Sequence, residues 1–185
     1  MLTTFADIVI TPTQATLCGD ILPLSSVGED MLTEIYRRYI ADYPKFFKMD
    51  TLSRLGFVAS ELLLQKEGNR FFSRDDRAVI FANRNASIKN DTDYQKTFEN
   101  TENCFPSPAL FVYTLPNIVT GEIAIRNHYY GETAFYLLNE EKDLWPILEA
   151  SMVPPTTSML AGWIECTECT GKNDFLFKLK ILKNG

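Results

Sequence analysis

Apolar and polar residues alternate in two opening runs, Phe5 to Ile10 and Gln14 to Leu17, which predicts β structure. Thr11-Pro12-Thr13 separates them, and proline withholds a ladder donor, so the pattern predicts a first strand that is bent or irregular. The period then changes. Leu32, Ile35, Tyr36, Tyr39 and Ile40 recur at helical spacing before Pro44, and Ser26-Val-Gly-Glu29 ahead of them has the spacing of a capping box. A second helix is predicted from Ser53 to Gln65, with Leu52, Leu55, Ala59, Leu62 and Leu63 on one face and Gly68-Asn69 as its stop.

Ala78 to Phe81 is a short apolar run flanked by charge, which suits a buried strand. A polar segment from Ala82 to Asn100 predicts loop followed by a short helix, and Cys104 to Pro108 predicts loop. A helix from Asn117 to Asn127 follows Pro116. Ala134 to Leu138 reads as a strand and Asp143 to Ala150 as a short helix. Ser158 to Glu165 and Asp174 to Leu182 read as two strands of a closing hairpin. Strands alternating with helices imply a mostly parallel α/β sheet in three layers, made mixed by the hairpin. No repeat, linker or low-complexity tract marks a boundary, so residues 1–185 are expected to form one domain.

Composition narrows function rather than fold. A net charge of −6 argues against a nucleic-acid binder, although Tyr36 to Lys48 is locally basic. The start lacks a basic region and a long apolar run, and no segment approaches a membrane span, so the cytoplasm is the expected location. Four cysteines stand at 18, 104, 166 and 169. Cys166-Thr-Glu-Cys169 has the spacing of a zinc or redox motif, but further ligands would have to come from Cys18, Cys104 or His128, all distant in sequence. The motif also lies between strand-like runs rather than at a strand-to-helix turn. It reads as small apolar side chains near a hairpin, and neither metal nor cofactor is expected.

Five segments carry a family resemblance. They are FADIVITPTQATLCGD, KMDTLSRLGFVASELLLQ, DDRAVIFANRNASIKNDTDYQKTFE, FPSPALFVYTLPNIVTGEIAIRNHYYGETAFYL (with Asn117, Gly121, Ile125 and Gly131) and SMLAGWIECTE. In this order they resemble the N-terminal half of a β-ketoacyl-acyl-carrier-protein synthase, a member of the thiolase-like superfamily. The resemblance implies half of a thiolase-like fold, with a mixed five-stranded sheet between helical layers. It also implies a nucleophilic cysteine near position 140, counted from Gly131.

Here position 140 is Glu140, flanked by Asn139 and Glu141, and Leu138 to Asp143 replaces the family's small-residue turn. Acyl transfer in this family needs a thiolate at a helix start, which a carboxylate does not replace. As plain first-turn residues, Glu140 and Glu141 suit the helix dipole, by roughly 0.3–1 kcal/mol when exposed. The family's histidines and lysine lie in a second half, whereas this chain carries one histidine, His128, ahead of the strand. The resemblance therefore implies a ketosynthase-like subunit without condensing chemistry, in fatty-acid, polyketide or aryl-polyene-type synthesis.

Its dimer edge would be Ala134, Phe135, Tyr136, Leu137 and Leu138, pairing with a second copy or with a complete ketosynthase. An acyl carrier protein is the other implied partner, with Arg37, Arg38, Lys45 and Lys48 as its docking candidates; their plainer reading is a solvated basic face. Two alternatives stand beside this one. A weak 3-oxoacyl-acyl-carrier-protein synthase or acyltransferase would use Cys104 or Cys166 as nucleophile. A small-molecule binding module would use the crevice lined by Asn83 to Ser87 and Asn139 to Glu141.

Overall fold

A computed structural model describes residues 1–68, 70–98, 105–169 and 172–185, with the side chains of 169, 172 and 173 left aside. Among them, seven strands form one sheet in the order β3-β2-β1-β7-β6-β4-β5. The resemblance implied five strands, and the chain's opening explains the difference. β1 (Leu2–Thr11) and β2 (Gln14–Leu17) are not one bent strand but an antiparallel hairpin with Thr11 opposite Gln14, so Pro12 and Thr13 are its turn. β3 (Asp20–Ile21) follows a second tight turn. There Cys18 and Gly19 both take positive φ, at 51° and 88°, as a two-residue turn matched to strand twist requires.

The sheet is mixed, and the expectation of a mostly parallel one fails. Parallel pairing is confined to β4 (Arg77–Asn83) with β5 (Thr133–Leu137) and with β6 (Ser158–Cys169). β6 and β7 (Lys172–Asn184) form the predicted hairpin, which runs longer than its apolar core and carries β1 on its far side. The turn residues 170 and 171 lie outside the described residues.

The helix α1 (Gly28–Tyr39) buries Met31, Leu32, Ile35 and Tyr36 against the sheet. Ser26 does not cap it. Val27 occupies the cap, and the backbone N–H groups of Ser25 and Ser26 donate to the Glu34 carboxylate at 3.0 and 2.7 Å. Glu29, the other half of the expected capping box, instead accepts from Thr51 Oγ1 at 2.8 Å. α2 (Thr51–Leu64) starts at Asp50, whose carboxylate accepts the Ser53 N–H at 3.0 Å. It is buried on nearly every side, not on one face. Gly56 permits this, since a Cβ there would run into Val119 of α5 (Ile118–Asn127). α3 (Ile88–Lys96) and α4 (Pro108–Val112) connect β4 to α5, and α6 (Leu144–Ser151) follows β5.

The two faces of the sheet have separate cores. Ile8, Phe81, Leu160, Phe177 and Leu179 pack beneath α1, α2 and α5. Ile80, Met159, Ala161 and Trp163 pack with Leu144, Leu148 and Met152 of α6 on the other face. Helices therefore lie on both sides of a central sheet. β4, buried at all seven positions, and β6 both contribute side chains to the two cores.

Candidate functional site

β5 is the last strand of the sheet, so one side of its backbone has no partner strand. Glu132 O accepts the Val79 N–H at 2.8 Å, and the Leu138 N–H donates to Asn83 O at 2.9 Å. Backbone groups alternate in direction along a strand. The even-numbered residues from 132 to 138 therefore face β4, and Thr133, Phe135 and Leu137 direct their N–H and C=O groups outward. Of the expected edge residues, Ala134, Phe135, Tyr136 and Leu138 are half-buried, and Leu137 is 59% exposed.

Apolar surface flanks this edge on both sides. Gly121, Ile125, His128 and Tyr130 line a concavity of about 440 Å3 over α5. Tyr130, Glu132, Tyr136, Ile147 and Val153 line another of about 680 Å3 toward α6. Ile125 and Tyr130 are 69% and 72% exposed. The open edge thus runs between two partly apolar shoulders. His128 ends α5 in the left-handed conformation, φ 57°, and is exposed.

Beyond β5 the chain turns at Asn139 and enters a short 3-10 turn, Glu141–Asp143, before α6. The Asp143 carboxylate accepts the Glu140 N–H at 3.2 Å, and Arg84 Nε donates to Asn139 O at 2.9 Å. Glu140 and Glu141 are exposed and each pairs with a lysine, Lys142 and Lys178 respectively, both at 2.6 Å. Both carboxylates face water and are committed to separate cations, outside the apolar setting of a catalytic acid–base pair.

The thiols lie elsewhere. Cys18 sits exposed in the turn between β2 and β3, and Cys166 is buried on β6. Burial pushes the Cys166 thiol up to about 12, with the charges of Asp50 and Glu29 adding to the effect, so it stays protonated and unreactive near neutral pH. Cys104 and the Cys169 side chain lie outside the described residues. Among the described residues, no group of three or more His, Cys, Asp or Glu could hold a metal ion. None of their helices is long and apolar enough to cross a membrane.

The four basic candidates differ from one another. Arg38 Nη1 donates to Glu34 at 2.7 Å and to Pro23 O at 2.5 Å, and Lys45 is paired with the largely buried Glu122. Arg37 and Lys48 are exposed and form no ion pair among the described residues. The crevice candidates bond to one another. Asn83 exchanges hydrogen bonds with Ala86 at 2.8 Å in both directions, and Glu165 accepts from Arg84 N and Asn85 Nδ2 at 2.9 and 3.1 Å. Sequence reasoning did not single out Glu165, because its role depends on β6 lying beside β4.

The chain shares this mixed sheet between helical layers with solved ketosynthase and chain-length-factor structures. The ishigamide ketosynthase/chain length factor matches all of the chain at a TM-score of 0.68 and 16% identity. A structure of the ketosynthase ApeO in complex with its chain length factor ApeC, from Xenorhabdus doucetiae, matches all of it at 0.65 and 12%. The chain spans 62% of the length of the first and 79% of the second. No family model matches the sequence, and no curated protein is similar to it.

Proposed function

We propose that this chain is a ketosynthase-like subunit that pairs through β5 with a complete ketosynthase and makes no bond itself. Its client pathway would build polyketide, aryl-polyene-type or fatty acyl chains in the cytoplasm. The observation that carries the reading is the turn after β5. On a fold shared with ketosynthase and chain-length-factor structures, the position expected for the nucleophile holds Glu140, exposed and paired with Lys142. Acyl transfer requires an activated nucleophile, and Cys166 is protonated and buried. The subunit's contribution is then architectural: it completes the partner's surface and bounds its acyl tunnel.

An acyl carrier protein is the second proposed partner. Arg37 and Lys48 are the basic groups best placed to meet its acidic surface, since Arg38 and Lys45 already serve Glu34 and Glu122. The acyltransferase alternative loses support at Cys166 and rests on Cys104, outside the described residues.

Native mass spectrometry of the chain mixed with a complete ketosynthase, then with an acyl-carrier thioester, tests the proposal. A one-to-one complex is expected, abolished by Leu137→Pro, which removes an outward N–H without touching the bonds to β4. No acyl adduct should form on this chain. A covalent acyl group at any of its cysteines, or a complex indifferent to Leu137→Pro, would contradict the proposal.

A further inference from the structure

The sheet face beneath α6 carries a groove that the edge-strand reading does not use. It has a volume of about 370 Å3, within the range of small-molecule sites, roughly 300–1,000 Å3. Ala161, Trp163 and Leu182 form its floor, and Leu144, Trp145 and Leu148 of α6 form one wall. The opposite wall is a row of charge. Lys178 and Lys180 alternate with buried Phe177, Leu179 and Ile181 along β7, so both ammonium groups stand on this face.

Register fixes the alignment. Lys178 lies opposite Trp163 and Lys180 opposite Ala161. Ala161 leaves room beside Lys180 that a larger residue would fill. The two lysines are not equivalent. Lys178 is held by Glu141 at 2.6 Å, whereas Lys180 forms no ion pair among the described residues, although Asp7 is its register neighbour on β1. An apolar trough with one uncommitted cation at its edge matches a ligand with an apolar tail and a single negative head.

We propose that this groove binds small amphiphilic anions of the medium-chain carboxylate class. The alkyl chain lies over Ala161 and Trp163 beneath α6, and the carboxylate meets Lys180. This site lies under α6 on the sheet face, separate from the outward backbone of β5, so it stands or falls apart from the pairing proposal.

The molecule contains its own reporter. Its two tryptophans, Trp145 and Trp163, both line the groove. Titration with decanoate below its micelle threshold should change tryptophan fluorescence saturably. Decanol, uncharged and of equal length, should bind at least about tenfold more weakly, and Lys180→Glu should weaken decanoate by at least about tenfold. Lys180 is exposed, so Lys180→Glu and Lys180→Gln should both retain the wild-type fold, and Lys66→Glu serves as a remote control. Absence of a saturable change overturns the proposal, as does equal binding of decanol, or decanoate binding as tight to Lys180→Glu as to Lys66→Glu.

Discussion

The two faces of β7 are made from one alternating sequence yet end in different surroundings. Phe175, Phe177, Leu179 and Ile181 are buried beneath α1, α2 and α5, while Leu176, Lys178 and Lys180 on the opposite face retain access to water. The first face is finished as a core: α2 is apolar nearly all round, and α1 and α5 close over it. The second is closed only where α6 lies, over β4, β5 and β6. The deeper packing thus lies on one side, and open surface is left at the edge strand and the α6 groove. A residue's neighbour across the sheet matters less here than which face it occupies.

The sharpest way to break this contrast is within β7 itself. Phe177→Ala should cost about 3–5 kcal/mol, from lost burial and a cavity beside Phe81, whose ring lies 5.0 Å away. Lys178→Ala, one residue along, should change stability by no more than about 0.5 kcal/mol. Urea denaturation of both variants checks the pair, and similar losses would mean that the second face is also core.

Buried charge on the first face gives the next effect. Glu61 is almost fully buried and meets Arg70 at 2.5 Å and Arg126 at 3.6 Å. Glu61→Leu would leave two guanidinium groups short of a partner and should cost roughly 3–5 kcal/mol. A smaller loss, about 1 kcal/mol, is expected for Asp50→Ala, which removes the cap of α2. Thermal melts rank these two variants directly.

The smallest effect is a pH dependence. Hydrogen bonds from Ser26 and Ser25, together with Arg38, lower the Glu34 carboxyl from 4.5 to about 2. A depressed carboxylate stabilises the fold above its unfolded value and loses that contribution as pH falls from about 4.5 toward 2. Glu34→Gln should therefore flatten the decline in melting temperature between pH 5 and 2 relative to the wild type. Parallel curves would remove Glu34 from the account.

Long periodic elements were legible in the sequence, and long-range pairing was not. Leu32, Ile35 and Tyr36 predicted α1, and the apolar run around Ala78 to Phe81 predicted β4, because each pattern depends on local period alone. The β1–β2 hairpin was hidden by Pro12, which reads as a break in one strand and serves instead as a turn between two. The excess of antiparallel pairing came from β1 lying against β7, a contact between the two ends of the chain that no local pattern carries. At the site, the apolar run from Ala134 to Leu138 was legible as a strand, with Glu140 in the turn beyond it. The partners that tie up Arg38 and Lys45 were not, and the lysine row on β7 looked like an ordinary strand until α6 was seen beside it.

Hydrogen–deuterium exchange tests pairing along β5 most directly, because Thr133, Phe135 and Leu137 direct their amides away from β4. With a complete ketosynthase present, the account predicts that these three amides become protected, while exposed amides of α1 exchange as before. Exchange at all three as fast in the mixture as in the free chain, under conditions where a complex forms, would show that the partner binds elsewhere.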